Sequence, residues 1–91
     1  MKNIDIEGIK YEIIENYKDA FNQEEFINRW TIYFEDYDYI LGDISYGKLR
    51  LKGFYNTNNK KVNTINNHKN IEDYLKKYCS KECSYFILKK M

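Results

Sequence analysis

Between residues 21 and 37 the chain carries a full set of helix-start signals, while on either side its apolar residues recur at every second position. This switch of period constrains the fold more than any other feature, because a segment written for one period cannot bury its apolar side in the other. Asn22 stands where it caps free amides, and Glu25, three residues on, closes a capping box. Phe21 and Phe26 occupy the two positions of a hydrophobic staple. Behind them Phe26, Ile27, Trp30, Tyr33, Phe34 and Tyr37 form one apolar stripe, which predicts a helix over residues 23–36.

The flanks read as strands. Ile4 and Ile6, then Ile9, Tyr11 and Ile13, alternate with polar neighbours around Glu7-Gly8, so residues 3–16 are expected to form a hairpin. Residues 38–44 are a short, largely apolar strand, and residues 47–55 are another. In the latter, Leu49, Leu51 and Gly53 fall on one side and Lys48, Arg50, Lys52 and Phe54 on the other, with Ser45, Tyr46 and Gly47 as the connecting loop. Residues 56–70 are rich in asparagine and read as a flexible loop. Asn70 is then expected to cap a second helix whose face is Ile71, Tyr74, Leu75, Tyr78 and Cys79. A closing strand starts at Cys83.

The expected fold is α+β in a single domain over residues 1–91. It has one mixed or antiparallel sheet of about five strands with both helices on one face, in the order β-β-α-β-β-α-β. Without its first strand this is the ferredoxin-like order. No apolar run is long enough for a transmembrane span, and residues 1–7 lack the apolar block of a signal peptide. A cytoplasmic protein with reduced cysteines is expected. Net charge is +1, yet residues 1–46 hold four basic against eleven acidic side chains while residues 47–91 hold eleven basic against three acidic. Either the halves interleave and neutralise each other, or a basic face awaits a polyanion.

Three blocks resemble a known family. They are Tyr37-Asp38-Tyr39-Ile40-Leu41-Gly42-Asp43, Tyr46-Gly47-Lys48-Leu49-Arg50-Leu51-Lys52-Gly53-Phe54, and Tyr74-Leu75-x-x-Tyr78-Cys79-x-x-x-Cys83-x-Tyr85-Phe86. Together they make the sequence similar to the YutD-like family of small bacterial proteins, from about Ile6 to Lys89. Ile44-Ser45 stands where that family usually carries Trp-Gly. The resemblance implies a small cytosolic bacterial α+β protein and assigns no biochemical activity.

Catalytic constellations are poorly served by this sequence. His68 is the one imidazole, and the glycines match neither phosphate-binding spacing, so no enzyme and no cofactor is expected. Cys79 and Cys83 are weak metal candidates because structural zinc needs four ligands; they read first as core residues and only then as a metal or thiol centre. Asp43 and Arg50 are expected to pair across a hairpin. The row Lys48, Arg50 and Lys52, with Tyr46 and Phe54 beside it and Lys60, Lys61 and Lys69 as a fringe, combines cations with rings as single-stranded nucleic-acid sites do. The leading expectation is a binding module for RNA or a ribonucleoprotein. The alternatives are an adaptor for an acidic protein partner and a solvated or internally paired sheet face.

Overall fold

A computed structural model of the chain describes residues 2–78 and 83–91. Five strands make one sheet: β1 (Asn3–Ile6), β2 (Ile9–Tyr17), β3 (Tyr39–Ser45), β4 (Lys48–Phe54) and β5 (Ser84–Lys90). Their order across the sheet is β1-β2-β5-β3-β4, and every neighbouring pair is antiparallel. A ferredoxin-like sheet puts the first and third strands of its β-α-β-β-α-β unit together at the centre. Here the strand that comes last in sequence, β5, lies between β2 and β3, so that arrangement is not the one adopted.

The two hairpins turn where the sequence places them. Glu7 and Gly8 (φ 54° and 82°) and Tyr46 and Gly47 (φ 53° and 74°) are two-residue turns with both central residues left-handed, the geometry that matches strand twist. Strand β2 bulges between Ile13 and Glu15 against β5, which turns Ile14 out of register.

Helix α1 (Gln23–Arg29) begins as expected, with the Asn22 side chain accepting from the Glu25 amide at 3.0 Å. It is shorter than the stripe predicts. Trp30 leaves the helix with extended backbone, and residues Ile32–Asp36 continue as a separate 3-10 turn. The break drives the Trp30 ring into the core, where its Nε1 donates to the Tyr11 hydroxyl at 3.2 Å. Helix α2 (Ile71–Tyr78) follows a 3-10 turn over His68–Asn70, and Asn67 rather than Asn70 supplies the cap by accepting from the Lys69 amide. The loop before it is tied by its own side chains. Asn59 accepts from the Lys61 amide, and Asn63 from the amides of Ile65 and Asn66, each at 2.9 Å.

The helices cover opposite faces of the sheet, which corrects the expectation of both on one face. On the first, Phe26 and Trp30 pack with Ile4, Ile6, Tyr11, Ile40, Leu49, Phe86 and Leu88. On the second, Ile71 of α2 packs with Tyr39, Leu41, Phe54 and Ile87. The cause lies in the central strands: Tyr39 to Asp43 are all buried, so both sides of β3 need a cover.

Candidate functional site

The basic row lies on β4, an edge strand whose single sheet neighbour is β3. Its side chains share the face covered by α2. Arg50 stands directly opposite Asp43, donating from Nε to Oδ1 at 2.9 Å and from Nη2 to Oδ2 at 2.7 Å. Asp43 is 2% exposed against 45% for the Arg50 side chain, so a buried carboxylate is matched by a guanidinium that water still reaches. The same Nη2 donates to the Tyr78 carbonyl at 3.1 Å, near the end of α2. These Asp43 contacts hold the Arg50 guanidinium above its ordinary pKa. Lys52 sits 5.3 Å from the Phe54 ring centre and 5.6 Å from that of Tyr74.

The remaining candidates divide between surface and interior. Tyr46 is fully exposed at the hairpin tip, and Lys48 is exposed beside it. Phe54, expected as a stacking surface, is wholly buried in the second core, where Tyr74 meets its ring edge-on. It cannot meet a base there. Lys60 and Lys61 are exposed on the asparagine-rich loop, and Lys61 pairs with Asp36 at 2.7 Å. Asp36 also accepts from the Tyr55 hydroxyl at 2.6 Å, and these two bonds hold its carboxyl below the ordinary range. Nearby, the hydrogen bond with Tyr33 and partial burial push the Tyr37 phenol up to about 12. Lys69 lies elsewhere again, on the 3-10 turn before α2. Ion pairs Arg50–Asp43 and Lys61–Asp36, with Lys90 donating to the Glu35 carbonyl, thus join the basic half of the sequence to the acidic half.

Cys83 is buried at the entry to β5 and disulfide-bonded, which corrects the expectation of reduced thiols; Cys79 lies outside the described residues. Among the described residues no group of three or more histidine, cysteine or acidic side chains is gathered to hold a metal. No helix among them is long and apolar enough to cross a membrane.

The sequence reading missed a cleft of about 430 Å³ on the α2 side, lined by Ile14, Glu15, Tyr39, His68, Lys69, Ile71, Glu72, Leu75, Tyr85 and Ile87. His68 stacks on Tyr39 with ring centres 4.4 Å apart, and the Tyr85 hydroxyl donates to Glu15 at 2.7 Å. Burial, then the bond to Glu15, pushes the Tyr85 phenol up to about 12. No local signal announces this cleft, because it forms where β2, β5 and α2 meet.

Taken together, the fold is a five-stranded antiparallel sheet with a helix on each face and a charged edge strand, and comparison with known proteins defines its class. Residues 5–89 match the family described as "Putative antitoxin YutD-like", and the chain belongs to that family. It is 40% identical over 86 residues to a Bacillus subtilis (strain 168) protein described as "Putative antitoxin YutD", with 94% of each chain covered. The solution NMR structure of yutD from B. subtilis is also similar, with a TM-score of 0.84 and 38% identity. That match covers 100% of this chain and 83% of the other.

Proposed function

We propose that the chain is a non-enzymatic binding module of the antitoxin type, which works by engaging a partner protein. The observation that carries this reading is the state of β4. It is an open edge, yet Arg50 is already engaged by Asp43, and the rings beside Lys52, those of Phe54 and Tyr74, are packed in the second core rather than exposed. A phosphate track needs free cations and exposed rings, whereas an open strand beside a fully exposed tyrosine suits a polypeptide. The description of the B. subtilis relative as a putative antitoxin supports the same class of partner, since an antitoxin acts on a toxin. The compartment in this reading is the cytosol, and counting reactive thiols in freshly isolated protein tests that against the oxidised state of Cys83.

The test is affinity capture of the tagged chain from bacterial lysate with and without nuclease treatment. Retention of one protein in fixed ratio through nuclease and size exclusion is expected. Loss of all bound protein after nuclease would defeat the reading. A second reading, RNA binding, rests on Lys48 together with Lys76 and Lys77, which are exposed on the adjacent helix α2. Anisotropy of labelled single-stranded RNA tests it, with a log-log salt slope of about −0.7 per neutralised phosphate.

A further inference from the structure

We propose that an extended partner segment with acidic side chains at alternate positions adds to the outer edge of β4 as a sixth strand. The inference rests on the protein-partner reading and specifies the partner's chemistry. Three observations carry it.

The first is that the protein already uses this edge. Immediately beyond β4, Tyr55 donates its amide to the Asn66 carbonyl at 2.7 Å, and the His68 amide donates to the Tyr55 carbonyl at 3.0 Å. Tyr55 and Asn67 therefore form a parallel bridge, in which a stretch of the chain's own loop lies along the edge like a strand. The cover stops there. Along Lys48–Gly53, among the described residues, no main-chain group bonds outside the ladder with β3. The open run is continuous with the closed one.

The second is the charge left over on the row. Opposite Arg50, strand β3 supplies Asp43; opposite Lys48 and Lys52 it supplies only Ser45 and Leu41. The Asp43–Arg50 pair demonstrates the geometry in which a carboxylate one strand away meets this row. An incoming strand with acids opposite Lys48 and Lys52 repeats it on the other side. Between those acids its side chains turn to the opposite face, beside Leu49 and half-buried Leu51, so an alternation of acidic and apolar residues fits.

The third observation removes a competing occupant. Two copies of β4 pairing antiparallel set residues of the same sheet face against each other. Every such register that overlaps the row brings Arg50 against Arg50, with Lys48 against Lys52, or leaves cations without acids. Like charges directly opposite are unfavourable, and no register of a second β4 supplies the acids the row lacks, so the edge favours an acidic strand over its own copy.

The experiment pans a phage-displayed library of random peptides on the full chain. It then measures an enriched synthetic peptide by anisotropy and by amide hydrogen exchange of the complex. Enriched peptides with acids at alternate positions, and new protection at amides within Lys48–Lys52, are expected. The K48E/K52E variant should bind the peptide roughly tenfold more weakly, two attractive cross-strand pairs having become repulsive. The K76E/K77E variant makes the same charge change off the edge and should stay within about twofold. Trp30 fluorescence checks that both variants are folded.

Peptides without the alternation, protection confined to the cleft, equal losses in the two variants, or a chain dimer built on β4 would each overturn the inference. So would RNA protecting the same amides while no peptide is enriched. A captured partner that contacts another surface sinks this inference alone, whereas absence of any protein or peptide binding sinks the protein-partner reading as well.

Discussion

Replacing Arg50 by methionine tests whether the buried carboxylate or the surface cation matters at β4. Asp43 is 2% exposed, and among the described residues both of its side-chain hydrogen bonds come from Arg50. Removing one partner of a buried pair costs about 3–5 kcal/mol, because the other charge is left without compensation. Arg50 is 45% exposed, so screening by water reduces that figure, and about 2–3 kcal/mol is expected. In a domain this small the loss corresponds to roughly 10–20 °C in the unfolding midpoint. Trp30, the only tryptophan and nearly buried, gives the fluorescence readout for urea unfolding. Arg50 also holds the Tyr78 carbonyl, so a double-mutant cycle is needed to isolate the pair. With Asp43→Asn in place the cost of Arg50→Met should fall to about 1 kcal/mol, since a neutral amide no longer demands a cation. A single-variant loss below about 0.5 kcal/mol, or the same loss with and without Asp43→Asn, would refute the argument.

Two further outcomes follow from the core and the phenols. A Cβ on Gly42 would overlap the Phe86 ring, and that ring is fully buried against Phe21 and Phe26, so Gly42→Ala should destabilise by about 3 kcal/mol in the same urea assay. The Tyr37 and Tyr85 phenols are pushed up from 10.0 to about 12 by the hydrogen bond to Tyr33 and by burial, respectively. The fold therefore favours their neutral forms: this stabilisation is intact below pH 10 and is lost as pH rises from there towards 12. Near-ultraviolet absorbance of the folded chain should lag that of urea-unfolded chain on alkaline titration; superimposed curves would refute it.

How much of this was legible in the sequence varied by element, for physical reasons. Both hairpin turns were visible because a left-handed pair needs glycine, and Gly8 and Gly47 mark the positions. The start of α1 was visible because capping is local. Its end was not, since Trp30 leaves the helix for a hydrogen bond with Tyr11, which is distant in sequence. The placement of α2 on the second face was present only faintly, in the unbroken apolar run of β3 that buries both sides. Among the site residues, the Arg50–Asp43 pair follows from alternation and strand adjacency. The burial of Phe54 does not, because period two assigns it to the same face as the lysines while only tertiary packing says where the cover of α2 begins. The split of Lys60, Lys61 and Lys69 into separate environments depends on a loop path that asparagine side chains set.

The position of β5 bears on how the protein is made. The β1–β2 and β3–β4 hairpins leave the ribosome first, but in the sheet they do not touch each other; β5 is the strip that joins them. Until Ser84–Lys90 has cleared the exit tunnel, the growing chain lacks the strand that pairs with both β2 and β3, and Ile13 and Ile40 lack Leu88, the neighbour they share across the sheet. Completion of the sheet is thus a closing event driven by contacts between the most distant parts of the sequence, the kind that slows folding. Synthesis of this protein carries a window in which two unpaired inner edges are open to any extended chain that reaches them before β5 does.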